Sequence, residues 1–248
     1  MKTKDGRALA RENELNVMRA LHRFGWLRTR NLAALVWQRW ARNPAGVPSL
    51  KPAEPTAAGL RMAQRTLRRL RDRRLVLSSR APDGSVIYAL AEAGARALQQ
   101  VGLTAESGKD LLRTFSAGHY LHRRTANEIA VAAIIEGYRV ATEREIAQGR
   151  WFGGKDGIAG KKPDVLLRGD GLVWWVEVER SRKNNKDYSR LLSWLGIVGR
   201  DALGSPGPEL LGDGLRWERW CSSARQPSAR SSAATWLRLA GKKFTSTR

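Results

Sequence analysis

Asp170 and Gly171 stand between two apolar, strand-forming runs, residues 163–167 and 172–179. Asp-Gly in that setting signals a two-residue type I′ hairpin, because both central residues of such a turn need positive φ. The turn dictates register. Gly169 pairs with Leu172, and strict antiparallel counting then brings Asp164 opposite Glu177. Directly opposed residues hold their Cβ atoms about 4.5–5.5 Å apart. Glu179 shares the face of Glu177, since side chains alternate with period two, while Trp174, Val176 and Val178 form an apolar face for a core. Three carboxylates thus converge on one side of a hairpin. Opposed like charges are destabilising, so a compensating charge is expected. A divalent cation such as Mg²⁺ would supply it, since it takes oxygen ligands and keeps several waters. Ion pairs with Arg180, Arg182 or Lys162 are the structural alternative.

Around this hairpin the second half reads as alternating helices and strands. A helix is expected over residues 119–138, a short strand over 139–143, a Gly-rich loop over 149–160 and a helix over 186–198. A strand over 215–221 and a last helix over 228–240 complete it. The first half, ending near residue 103, reads differently: helices over 10–23, 29–40 and 57–74, strands at 75–77 and 86–90 around Ala81-Pro82-Asp83-Gly84, and a helix over 91–101. That order is the layout of a winged helix-turn-helix. The expected organisation is therefore α/β in the α+β sense, with domains at 1–103 and 112–248.

Charge narrows the function. The chain carries 45 Lys+Arg against 23 Asp+Glu, a net +22, and so calls for a polyanionic partner. No apolar run approaches the ~18–20 residues that span a bilayer, which makes a membrane the weaker choice. DNA and RNA fit the composition equally. The third helix favours duplex DNA: Arg61, Arg65, Arg68, Arg69, Arg71, Arg73 and Arg74 crowd it, and Asp72 is its lone acid. Met62, Leu67 and Leu70 give it a narrow apolar stripe for docking. A helix of this kind fits the major groove, where some arginines hold phosphates and others read guanine edges. Arg80, near the hairpin tip, would touch the adjacent backbone. The bland alternative is a solvated charged face, although such faces normally mix signs. A single cysteine, Cys221, and a polar start imply a reducing, cytoplasmic setting.

The pattern Pro163-Asp164, then Glu177-Val178-Glu179, resembles the PD-(D/E)XK nuclease superfamily. The resemblance implies a restriction-endonuclease-like mixed sheet flanked by helices. It implies Asp164 and Glu177 as metal ligands, Val178 offering its carbonyl, and Glu179 where lysine is usual. Lys183 is then the substitute source of positive charge, and Glu143 or Glu145 would lie just beyond the preceding helix. The full order resembles the replication-relaxation family of plasmids and integrative conjugative elements. Its carriers are the wing exit at residues 88–94, the 119–136 helix with His122 and Asn127, and the carboxylate hairpin. That resemblance implies action at an origin-like DNA site in replication or mobilisation. It leaves open Mg²⁺-dependent nicking with Asp164, Glu177, Glu179 and Lys183, or binding alone as a regulator or relaxosome accessory factor. Double-stranded DNA and other mobilisation or replication proteins are the implied partners, and a homodimer is compatible. His119-Tyr120-Leu121-His122 lacks the spacing of a relaxase histidine pair, and Gly153-Gly154-Lys155 lacks that of a phosphate loop.

Overall fold

The structure is a computed structural model and describes residues 5–113, 116–179, 185–204, 209–212, 214–224 and 233–238. It is a mixed α+β chain in two compact units. The first comprises Met1–Trp40 with Lys51–Ile135, and the second Ala41–Leu50 with Glu136–Arg248. No helix among the described residues is long and apolar enough to cross a membrane.

In the first unit, helix α1 (Gly6–Phe24) is capped by Asp5 and stopped by Gly25 at φ 83°, whose N–H returns to the Leu21 carbonyl. Strand β1 (Trp26–Arg28), helix α2 (Thr29–Trp37) and helix α3 (Ala57–Asp72) follow. Thr56 caps α3 by accepting from the Gly59 N–H at 3.0 Å. Strands β2 (Val76–Arg80) and β3 (Val86–Leu90) complete an antiparallel sheet of order β1-β3-β2. Strand β1 escapes the sequence reading because three residues are too few to show a period. Helix α4 (Glu92–Gln99) begins so close to the Leu75 carbonyl that only glycine fits at position 94. Helices α5 (Lys109–Arg113) and α6 (Ala117–Ile135) end the unit.

Helix α6, which the sequence reading assigns to the second half, belongs to the first unit. Tyr120 stacks on Trp26 with centroids 5.5 Å apart, and the Asn127 side chain donates to the Trp26 carbonyl at 2.8 Å. These contacts tie α6 to β1.

The second unit holds β4 (Arg139–Ala141), α7 (Glu143–Ala147), β5 (Val165–Gly169), β6 (Leu172–Glu179), α8 (Asn185–Ala202), β7 (Arg216–Ala224) and β8 (Ala233–Arg238). Its strands lie in the order 4-5-6-7-8, antiparallel except for the β6–β7 pair that α8 bridges. The expected last helix is replaced by β8, which pairs the backbone of β7 and covers an edge that would otherwise lack hydrogen-bond partners. Both faces of the β5–β6 hairpin are buried. Val173 and Trp175 pack with Leu191, Trp194 and Val198 of α8, while Trp174 meets Tyr138 edge-on on the opposite side. Trp175 is fully buried.

Candidate functional site

Two groups of side chains stand out, one in each unit. In α3, the residues that dock on the core are Ala63, Thr66, Leu67 and Leu70. Met62, expected in that stripe, is exposed instead. With 3.6 residues per turn, Arg61, Arg65 and Arg68 fall on the side opposite this buried face. All three are exposed, and none pairs with an acid among the described residues. The remaining arginines differ. Glu14 of α1 holds Arg73 at 2.7 Å and Arg69 at 3.5 Å, and Arg71 lies 3.9 Å from Asp72. Six of the seven arginines therefore divide into an outward stripe and a set beside acids, and Arg74, at φ 57° just past the helix, belongs to neither. Sequence counting alone does not separate them, because Glu14 lies more than fifty residues upstream.

Arg80 closes β2 opposite Val86 and is exposed. The hairpin beside it is anchored. Asp83 accepts from the Tyr120 hydroxyl at 2.7 Å, the Ser85 hydroxyl at 2.6 Å and Arg124 at 3.1 Å. Burial alone would raise the Asp83 pKa, but these hydrogen bonds and the Arg124 charge outweigh it and bring it down to about 2. Arg28, nine-tenths buried, bonds Glu128, and Glu128 lies 3.6 Å from Arg124, extending the network. Tyr120 and Asp83 were missed from sequence because their partners come from separate elements.

In the second unit the hairpin register is Gly169↔Leu172 through Val165↔Val176. Asp170 and Gly171 have φ of 51° and 74°, as a type I′ turn requires. Asp164, one residue before β5, donates its N–H to the Val176 carbonyl at 3.0 Å, which sets it opposite Glu177. Its carboxylate accepts from the Val178 N–H at 2.6 Å. The Glu177 side chain is buried and accepts from the Trp175 indole N–H at 2.6 Å and from Lys161 Nζ. Burial raises the Glu177 pKa, and the Asp164 charge pushes the same way; Lys161 opposes both without cancelling them.

Lys161 is the functional group that sequence reasoning overlooked. It follows a tight reversal at Ala159 and Gly160, with φ of 49° and 75°, closed by mutual Ile158 and Lys161 backbone bonds. Its ammonium sits 5.5 Å from the Trp194 ring centre and 5.7 Å from that of Trp175. The only sequence hint was an Ala-Gly pair inside a loop already rich in glycine.

The other expected site residues fare unevenly. Glu179 lies at the end of β6, paired through its backbone with Ala224, and Lys183 lies outside the described residues. Glu145 serves as the capping-box partner of Thr142 at the start of α7. Among the described residues no three metal-ligating side chains cluster. The positive charge that opposed carboxylates require comes from Lys161. Lys161 offsets one of the two negative charges that Asp164 and Glu177 carry when both are ionised.

The sequence profile of the replication-relaxation family matches residues 47–193, more than half of the chain, a span that includes α3 and the carboxylate hairpin. No curated protein and no solved structure matches the chain. The chain belongs to the replication-relaxation family.

Proposed function

We propose that this protein binds duplex DNA in the replication or mobilisation of a mobile element, with α3 as the reading helix of a winged helix-turn-helix. The observation that carries this reading is the outward stripe of Arg61, Arg65 and Arg68, opposite the buried face of α3 and without acidic partners among the described residues. The β1-β3-β2 sheet and its anchored hairpin suit a wing that carries Arg80. Arginine offers forked donors to phosphate and to guanine, so a single stripe both holds and reads DNA. Replacing Arg61, Arg65 and Arg68 with alanine is expected to weaken duplex binding at least about tenfold. The slope of log affinity against log salt should flatten by up to about 3, at roughly 0.9 per phosphate contact. Fluorescence anisotropy across a salt series reads both. An unchanged slope removes α3 from the interface.

A second reading, Mg²⁺-dependent nicking, rests on Asp164 opposite Glu177 in the hairpin. A bound cation would polarise a phosphodiester and activate water there. The Lys161–Glu177 pair supplies part of the compensating charge from within the chain. Incubation with supercoiled plasmid, with and without Mg²⁺ or Mn²⁺, separates the two. Nicks abolished by Asp164→Ala would establish the second reading, and intact plasmid under every divalent ion would leave the first.

A further inference from the structure

Helix α8 has a second face that the core does not use. Leu191, Trp194 and Val198 are buried, whereas Lys186, Ser189, Arg190, Ser193 and Ile197 are exposed at three- and four-residue spacing and so share one side. This side and the turn ending at Lys161 wall an open cleft of about 910 Å³ within the second unit. Among the described residues three cations line it, Lys161, Lys186 and Arg190, against one acid, Asp187. Arg190 lies 3.9 Å from Asp187, but both are exposed, so water competes for the pair and a phosphate can displace it. Lys186 stands in the first turn of α8, where the helix dipole disfavours a cation unless an anion is nearby. Lys161 lines the cleft while its ammonium bonds Glu177.

The distribution of these groups points to the shape of the ligand. From Lys186 to Ser193 the polar face runs along about 10 Å of helix, at ~1.5 Å per residue. Donors spread in a row suit a linear polyanion better than one compact anion. The volume lies in the range of small-ligand sites and suits a few nucleotides of one strand. Ile197 adds an apolar contact for a sugar or base.

We propose that this cleft binds the phosphodiester backbone of a single DNA strand and lays it beside the Asp164–Glu177 pair. The proposal rests on the DNA-binding reading above, yet it concerns different residues and a different form of DNA. The test uses the full chain, a fluorescein-labelled dT20 strand and a labelled duplex. Lys186→Ala with Arg190→Ala is expected to weaken dT20 binding about tenfold and to flatten its salt slope by about 1.4, at ~0.7 per contact on single strands. Duplex affinity should stay within about twofold. Both side chains are exposed, and matching thermal melts check that the fold is kept. Independently of any variant, photo-crosslinking of a 4-thiothymidine strand to the wild-type protein should mark peptides within residues 159–197. Unchanged dT20 binding, crosslinks confined elsewhere, or an equal loss on duplex would each overturn the cleft. The α3 reading fails by another result, an arginine variant with undiminished duplex binding, so the two failures are distinguishable.

Discussion

At the scale of single residues, Gly94 illustrates a requirement set by space. A Cβ at this position would lie 2.2 Å from the Leu75 carbonyl oxygen and 2.8 Å from Leu90 Cδ1. Alanine has the better helix propensity by about 1 kcal/mol, which would favour substitution at an open site. Here the obstacle is backbone, and backbone cannot turn aside as a flexible side chain can. Overpacking of this kind costs about 1–3 kcal/mol, and so close an oxygen puts Gly94→Ala at the upper end. The variant is expected to melt roughly 5–10 °C below the wild type, at about 2–4 °C per kcal/mol for a chain of this size. Gly6→Ala, where nothing lies within 4 Å, should leave the melt in place or raise it slightly. Equal behaviour of the two variants would mean that α4 does not start against Leu75.

At the scale of elements, the β5–β6 hairpin and the Lys161 turn depend on each other. Removing one partner of a buried pair leaves the other uncompensated, typically at a cost of about 3–5 kcal/mol. Lys161 retains some exposure, so Lys161→Met is expected to cost less, about 2–3 kcal/mol. Glu177→Gln should recover part of that loss, since the amide oxygen still accepts from Trp175 and carries no charge. A double-mutant cycle by denaturant melts is expected to give a coupling of about 1–2 kcal/mol. Additivity within about 0.5 kcal/mol would show that the pair contributes nothing beyond its separate members. The hairpin itself was legible because its turn chemistry and its alternation are both local, and Asp170-Gly171 counts out the register unaided. Lys161 was not legible, since its role arises from a turn sixteen residues away in sequence from the carboxylate it meets. The docking face of α3 was legible only in part. Leu67 and Leu70 declare themselves by hydropathy, whereas Ala63 and Thr66 are buried through closeness to their neighbours and Met62 is turned outward.

At the scale of the whole molecule, the net charge of +22 makes opposite demands on the free and bound protein. Alone, the chain repels itself, and added salt should stabilise it by screening, since the Debye length falls from about 10 Å at 0.1 M to 3 Å at 1 M. With duplex DNA present, binding to the folded state adds RT ln(1 + [L]/Kd), about 2.7 kcal/mol at a hundredfold excess over Kd. Salt erodes that gain, because a protein making 6–10 phosphate contacts loses on the order of 10³–10⁵ in affinity between 50 and 200 mM. Melting temperature plotted against salt should therefore rise for the free protein and fall for the complex until the two curves meet. The Arg61/Arg65/Arg68 variant carries three fewer charges and a weaker grip, so its curves should start closer together and converge at lower salt. Parallel curves for protein with and without duplex would show that the excess charge does not engage DNA, and would move the search for its partner to structured RNA.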